Sequence, residues 1–241
     1  MFQQLEKFQL AILGLLLSVA LVWGAKSITS SVPKDGISVT GSAYQIVKSD
    51  SARLEFQITA KQPTKAAGYS LVQKQLPEVI SFLKSKGIDD KDIEVQAYNG
   101  YYSYKTNANG MSTGVVDSFN ISLPVIVKSN DVEKIKTIST EIQGLLDKGI
   151  DINVYRPEYF YSNLADLKVT LLQEATKDAK QRAAAMLKAT NNRVGKIQSV
   201  KMGVFQITPV DSTNVSDMGI SDTSTIDKKV TSVANVVFQI K

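Results

Sequence analysis

The sequence predicts an α+β fold, in which two strand–helix–strand units and a third long helix pack on largely antiparallel sheets. Three observations lead to this prediction. Apolar and polar residues alternate over residues 36–60, as they do in half-buried strands. Apolar residues recur every three or four positions in three longer stretches, as they do in helices. Finally, the strand–helix–strand pattern occurs twice.

The first unit begins with two strands separated by a turn at Ser49-Asp50, and the alternation predicts that these strands form a pair. A helix follows, which Thr64 can cap and Gly87 can end. Pro77 lies inside its apolar stripe and is expected to kink the helix without ending it, since the pattern resumes in phase. The next strands are predicted at residues 93–104 and 115–127, joined by the loop KTNANGMSTG.

The second unit contains a helix from Asn130 or Asp131 to Gly149 and a strand over residues 150–160. Its helix ends in the tetrapeptide Lys-Gly-Ile-Asp, as the first helix does. Core positions of the two units also align at an offset of 62 or 63 residues. The sequence therefore predicts a duplicated strand–helix–strand unit.

The remainder begins with the third helix, YSNLADLKVTLLQEATKDAKQRAAAML, over residues 161–187. Two more strands are predicted at residues 196–208 and 228–240. Between them, residues 209–227 are rich in Ser, Thr, Asp and Gly, which indicates a loop facing solvent or a partner. Its aspartates are five or six residues apart, and this spacing does not fit an EF-hand.

Composition excludes several chemistries. The 241 residues include no His and no Cys, so a Cys/His zinc site, haem or iron–sulfur ligation, a Cys nucleophile and a Ser-His-Asp triad are all excluded. The net charge is +5, but basic and acidic residues are interspersed, which disfavours nucleic-acid binding. We predict no metal, no cofactor and no catalytic residue, and expect a protein that is not an enzyme.

The third helix has one apolar face and one charged face. Glu174 and Asp178 are four residues apart and could share a metal ion, but Lys177 and Arg182 lie beside them. A solvent-exposed face with salt bridges is therefore favoured. The alanines on the apolar face indicate close packing on a sheet or on another helix.

Residues 10–25, LAILGLLLSVALVWGA, contain no charged side chain. As a helix they extend about 24 Å, somewhat short of the roughly 30 Å hydrocarbon core of a bilayer. Trp23 and Lys26 at the far end suit a membrane interface, which favours an uncleaved signal-anchor. The core of a cleaved signal peptide is the alternative.

This segment defines the domain organisation. Residues 1–9 form an N-terminal flank, and residues 26–35 form a polar linker. The folded domain then comprises residues 36–241. It is expected on the extracytoplasmic side, either membrane-anchored or, after cleavage, periplasmic or secreted.

Tyrosines concentrate in the two equivalent strand regions. They are Tyr98, Tyr101, Tyr102, Tyr104, Tyr155, Tyr159 and Tyr161. One interpretation is that they belong to half-buried strand faces. The other is an aromatic contact surface for self-association or for a ligand. No basic cluster accompanies them, which disfavours a nucleic-acid stacking platform.

The stretch ISVTGSAYQIVKSDSARLEFQITA resembles the opening of the SIMPL domain family, also called DUF541. EATKDAKQRAAAML…NRVGKIQSV is similar to that family's A-x-x-D-A-x-x-[KR]-A helix with the L-G-K that follows. The matching positions are Glu174, Ala175, Asp178, Ala179, Arg182, Ala183 and Gly195. The resemblance covers about residues 36–240. Departures from the family pattern occur at Ser49, at Asp117-Ser118-Phe119 and at Val194.

The resemblance implies an α+β fold, a location outside the cytoplasm and assembly into large ring- or channel-like oligomers. The family includes the periplasmic immunogenic protein and proteins linked to oxidative-stress defence, and it has no agreed catalytic residues. We therefore expect a non-enzymatic bacterial cell-envelope protein that self-assembles or binds a protein partner of unknown identity. The alternative is a ligand-binding protein or a carboxylate-dependent enzyme, in which Glu55, Glu94 or Glu158 would converge in a pocket.

Overall fold

The computed structural model describes residue 18, residues 20–22 and residues 36–241. The predicted membrane segment, residues 10–25, thus lies largely outside the described residues, and the linker of residues 26–35 lies wholly outside them. None of the helices in the described part of the chain combines the length and hydropathy that a membrane span requires.

The predicted α+β class is confirmed, with helices and two mostly antiparallel sheets. The α-helices within residues 36–241 are α1 (Lys65–Ser85), α2 (Val132–Glu141) and α3 (Leu164–Lys188). The strands are β1 (Gly36–Lys48), β2 (Ser51–Gln62), β3 (Ile93–Val95), β4 (Asn99–Thr106), β5 (Ser112–Ser129), β6 (Asp151–Val154), β7 (Glu158–Phe160), β8 (Val194–Met202), β9 (Gln206–Pro209), β10 (Ile220–Ser221) and β11 (Asp227–Ile240).

These elements belong to two compact units. The smaller unit contains residues 36–42, 175–202 and 234–241 of the described chain. The larger unit contains residues 43–174 and 203–233. Strands β1 and β11 and helix α3 each contribute residues to both units.

The larger unit contains a six-stranded sheet. Its central strands lie in the order β3-β5-β2-β6, and every neighbouring pair is antiparallel. Strand β4 also pairs with β5, and β7 also pairs with β2. Helix α1 connects β2 to β3 and α2 connects β5 to β6, so the topology is that of a split βαβ motif.

Helices α1 and α2 pack on one face of this sheet. The core is formed by apolar side chains that alternate along β2 and β5 and recur every three or four residues along the helices. Its fully buried members include Phe56, Ile58, Val72, Val79, Leu83, Leu123, Val125, Ile135 and Ile138. Burying one such side chain contributes about 1.5–3 kcal/mol to folding.

The predicted starts of the first two helices and the predicted end of the first agree with the structure. The second α-helix ends at Glu141, and a 3₁₀-helix (Ile142–Lys148) continues from it to Gly149. The Thr64 hydroxyl accepts a hydrogen bond from Ala67 N (3.2 Å), and the Asp131 carboxylate accepts one from Lys134 N (3.0 Å). Gly87 and Gly149 have φ angles of +75° and +74°, in the left-handed region that favours glycine. Helix α1 continues through Pro77 to Ser85.

The prediction that β1 and β2 pair with each other is wrong. Strand β1 belongs to a five-stranded sheet and β2 to the six-stranded sheet. At the corner between them, Ser49 N donates to Ile226 O (2.8 Å) and Asp50 N donates to Phe160 O (2.9 Å). A two-residue break in an alternating pattern occurs both in hairpins and where a chain changes sheets, so the pattern could not distinguish the two.

Three predicted strands are each divided in two by a short break. Residues 93–104 contain β3 and part of β4, residues 150–160 contain β6 and β7, and residues 196–208 contain most of β8 and β9. The short strand β10 lies within the segment predicted to be a loop, and it pairs in parallel with β9. The five-stranded sheet has the order β1-β11-β9-β10, with β8 also paired to β11.

Candidate functional site

The structure divides the seven predicted tyrosines into two groups. Tyr101, Tyr102, Tyr104 and Tyr155 are exposed, whereas Tyr98, Tyr159 and Tyr161 contact the interior. The ring of Tyr98 lies 4.9 Å from that of Tyr69 on α1. Tyr159 is only 6% exposed, and burial raises the pKa of its hydroxyl. The second group therefore serves packing.

Three of the exposed tyrosines lie on β4, which forms a hairpin with β5. Pairing between β2 and β5 ends at Phe119, so the earlier residues of β5 pair only with β4 within the described structure. Residues 104–116, which we call the hairpin arm, are thus a two-stranded ribbon that extends beyond β2. At its turn, the Asn107 carboxamide accepts hydrogen bonds from Asn109 N and Met111 N, both at 3.0 Å.

The root of the hairpin arm is fixed by aromatic contacts. Tyr102 meets Phe119 edge to face, with ring centroids 4.9 Å apart. A Cβ at Gly100 would lie 2.5 Å from the Phe119 ring, so glycine is needed at this close approach.

Beyond this root, the hairpin arm exposes apolar side chains. Tyr104, Met111, Val115 and Val116 are between 44% and 59% exposed. Tyr104 lies directly opposite Val116, so these two side chains share one face of the ribbon. A two-stranded ribbon has no sheet or helix on which to bury such residues, and it is marginally stable by itself in water. This arrangement is typical of a surface that another molecule covers.

The three acids proposed for the alternative function each lie beside a basic side chain. Arg53 bridges Glu55 (3.0 Å) and Glu158 (3.1 Å), and Lys128 lies 3.4 Å from Glu94. The Arg53 guanidinium offsets the charges of the two acids it contacts. Within the described residues, no three acidic side chains form a group that could hold a metal ion.

Helix α3, which carries the residues that resemble the SIMPL motif, contributes to packing in the smaller unit. Ala175, Ala179 and Ala183 are fully buried. A Cβ at Gly41 on β1 would lie 2.1 Å from Ala175 O and 2.3 Å from Ala179 N, so strand and helix backbones approach too closely for any side chain there. The small residues of α3 thus permit a contact with the strand backbone.

Asp178 ties the same strand to the helix. Its carboxylate accepts hydrogen bonds from Ser42 N (2.8 Å) and from Arg182 Nε (2.7 Å). The hydrogen bond from Ser42, with further help from Arg182, holds the pKa of Asp178 below its usual value. Asp178 therefore acts as a structural acceptor in this structure.

Asp222, in the segment of residues 209–227, forms a buried ion pair with Lys228 on β11, and sequence reasoning missed this pair. Lys228 Nζ donates to Asp222 O (2.7 Å) and lies 3.3 Å from Asp222 Oδ2. The Asp222 carboxylate also accepts hydrogen bonds from the Ser224 and Thr225 hydroxyls and from Ser224 N. The two charged side chains are only 3% and 9% exposed.

Burial, hydrogen bonding and the opposite charge of the partner shift the pKa values of both members of this pair. Burial by itself raises the pKa of Asp222, but the hydrogen bonds from Thr225 and Ser224 and the charge of Lys228 outweigh it, so the pKa is held well below its usual range. Burial lowers the pKa of Lys228, and the attraction of Asp222 offsets this only in part. The sequence signal that could have indicated the pair is the run Asp-Thr-Ser-Thr, in which hydroxyls surround one carboxylate.

Fold and site together define an α+β protein with a split βαβ sheet, a second sheet and a projecting hairpin. The family model for SIMPL, described as a protein of unknown function (DUF541), matches residues 37–238. The chain therefore belongs to the SIMPL family, which confirms the resemblance seen in its sequence. No curated protein matches the chain.

Proposed function

We propose that this SIMPL protein is a non-enzymatic component of the bacterial cell envelope that assembles with further copies of itself through the hairpin arm. Residues 10–25 would hold it at a membrane, with the domain on the extracytoplasmic side. The observation that supports assembly is the exposure of Tyr104, Met111, Val115 and Val116 on a ribbon that has no partner strand beyond β4 and β5 in the described chain.

Charge favours a second copy of the chain as the molecule that covers the arm. Lys105 is the only charged residue among residues 104–116. Asp117, which follows the arm, is paired with Lys61 at 3.2 Å. Two copies of a nearly neutral apolar surface can approach without strong repulsion, whereas a highly charged partner would find little complementary charge here.

Association of the full chain tests this proposal. The double variant Tyr104→Thr/Val116→Thr removes the apolar pair on one face of the arm and keeps residues that favour strands. We expect the association constant, measured by sedimentation in detergent solution, to fall at least about tenfold, which corresponds to about 1.4 kcal/mol.

The matched control is Val215→Thr/Met218→Thr, which replaces two apolar residues that are even more exposed but lie outside the arm. This variant should associate like the parent protein. A parent chain that stays monomeric at every concentration would contradict the proposal, as would equal losses in the two double variants.

Membrane attachment requires a separate experiment, because most of residues 10–25 lie outside the described part of the chain. After alkaline extraction of membranes, the full chain should remain in the membrane fraction with its N-terminal residues intact. Release of a protein whose mass corresponds to an N-terminus near residue 26 would instead indicate a cleaved signal peptide.

A role in oxidative-stress defence is the finer part of the proposal. The chain has no cysteine, so it has no thiol with which to reduce a peroxide. We propose instead that protection by this protein depends on its assembly in the envelope. Cells producing the Tyr104→Thr/Val116→Thr variant should then be as sensitive to peroxide as cells without the protein.

A further inference from the structure

The face of the six-stranded sheet opposite helices α1 and α2 carries rows of polar side chains. Along β2, Gln57, Thr59 and Lys61 alternate with the core residues Phe56 and Ile58. Strand pairing aligns each of these polar residues with further polar residues on neighbouring strands. One row crosses four strands and consists of Asn99, Ser122, Thr59 and Asp151.

Two further rows flank the first. Tyr101 lies opposite Asn120, which lies opposite Lys61. On the other side, Gln57 lies opposite both Pro124 and Asn153. Adjacent strands are about 4.8 Å apart, so four strands place side chains over roughly 14 Å. This length suits a short chain of linked rings better than a single small molecule.

The rows line a surface depression of about 400 Å³. Its side-chain amides provide both donors and acceptors. That of Asn120 donates to the Ser103 hydroxyl at 2.6 Å. The side-chain amides of Gln57, Asn99 and Asn153 make no hydrogen bond to any described residue, so these amides are available to a ligand.

Charge in the depression favours a neutral ligand. Lys61 lies 3.2 Å from Asp117, so its positive charge is offset. The carboxylate of Asp151 has no ion pair within the described structure. Among the described residues that line the depression, an anionic ligand such as a nucleotide would therefore meet one lysine that is already paired with Asp117 and one carboxylate, whereas a hydroxyl group can donate to that carboxylate.

Tyr101 adds an apolar surface at one end. Its side chain is 68% exposed, and its ring belongs to the same row as Asn120. The face of an aromatic ring can pack on the C–H groups of a sugar ring, while amides and carboxylates bind the hydroxyls at its edge.

We propose that this polar sheet face binds a neutral oligosaccharide. Tyr101 packs on one sugar ring, and Gln57, Asn99, Asn153 and Asp151 hydrogen-bond the hydroxyls of the next rings. The site uses side chains other than the apolar residues of the hairpin arm, so it does not depend on self-assembly.

The test uses the full chain in phosphocholine micelles, a detergent that contains no sugar. The probes are chitotetraose, cellotetraose and maltotetraose, followed by saturation-transfer NMR and calorimetric titration. At least one of these neutral probes should bind, and Tyr101→Ala should weaken it at least about tenfold, the scale expected when an aromatic contact is removed. Asn153→Ala should weaken it by a smaller factor.

The control is Tyr44→Ala, which removes an equally exposed tyrosine on β1 and should leave saccharide binding unchanged. Tyr101 and Asn153 are exposed, so both variants should fold, and circular dichroism verifies this. The proposal is overturned if none of the three probes binds, or if Tyr101→Ala and Asn153→Ala bind like the parent. Sedimentation of Tyr101→Ala and Asn153→Ala distinguishes a loss of saccharide binding from a loss of self-assembly, because both variants should associate like the parent.

Discussion

The hairpin arm and the segment of residues 209–227 look alike in sequence but differ in structure. Both are rich in small polar residues, and both join neighbouring strands. The arm makes its hydrogen bonds within its own ribbon and leaves apolar side chains in solvent. The other segment forms hydrogen bonds with the rest of the larger unit and buries Asp222 in an ion pair with Lys228, the residue that directly follows the segment.

This difference shows that a segment is held in place when its hydrogen-bond partners lie in other parts of the protein. In residues 209–227, Asp222 N donates to Ile207 O (2.9 Å), and Tyr159 N donates to Thr223 O (2.8 Å). The Gln206 side chain holds Ser216 by a further pair of hydrogen bonds. Such long-range bonds raise the cost of local opening, whereas a ribbon bonded only to itself can move as a unit.

The largest effect is expected from breaking the buried pair. Asp222→Asn leaves Lys228 buried without a counter-charge, so the free energy of unfolding in urea should fall by about 3 kcal/mol. The control Asp217→Asn changes an exposed aspartate of the same segment and should stay within about 0.5 kcal/mol of the parent. Equal, small effects of the two variants would contradict a stabilising role for the buried pair in this segment.

The same pair predicts the acid response. The pKa of Asp222 is lower in the folded protein than in the unfolded chain, where it is about 3.9. Its stabilising contribution is therefore complete above that value and is lost as the pH falls below it. Stability of the parent should decline below about pH 4 more steeply than stability of Asp222→Asn. Parallel curves for the two proteins would contradict this assignment.

A middle-sized effect is expected at Gln206, which is 8% exposed. Its Nε2 donates to Ser216 O (2.7 Å), and its Oε1 accepts from Ser216 N (3.4 Å). Gln206→Leu should lower the free energy of unfolding by about 1–2 kcal/mol, because two backbone groups lose their partners. The exposed Gln73 of α1 provides the control variant Gln73→Leu, for which urea curves should nearly superimpose on those of the parent.

The smallest effect is expected in the hairpin arm. In dilute protein, where association does not add stability, Tyr104→Thr and Val116→Thr should each change the free energy of unfolding by less than about 0.5 kcal/mol. Each should nevertheless weaken association of concentrated protein. A loss of about 2 kcal/mol or more in dilute solution would show that the arm packs as core and is not an open contact surface.

Several elements could be predicted because their signals are local. The caps at Thr64 and Asp131 and the left-handed glycines at positions 87 and 149 depend on residues within one turn. The apolar periodicity of α3 likewise lies within the helix itself. These features were predicted near their observed positions.

The tyrosines show why the candidate site could be predicted only in part. Their alternation indicated strand faces, but it did not indicate that β5 extends beyond β2 and leaves Tyr104 on a free ribbon. Nor did it indicate that Tyr159 would be covered while Tyr155 stays exposed. The exposure of such a tyrosine depends on how far the neighbouring strands extend. The residues of the tyrosine's own strand do not indicate that length.

The amino-acid sequence alone is enough to predict the α+β class, the helix caps, the family and the absence of thiol and imidazole chemistry. These properties depend on composition or on interactions between residues a few positions apart. By contrast, three features became visible only in the folded structure: β1 and β2 enter different sheets, Gly41 contacts the backbone of α3, and Lys228 is buried against Asp222. These outcomes depend on strand pairing and burial, whose energies come from residues that lie far apart in the chain.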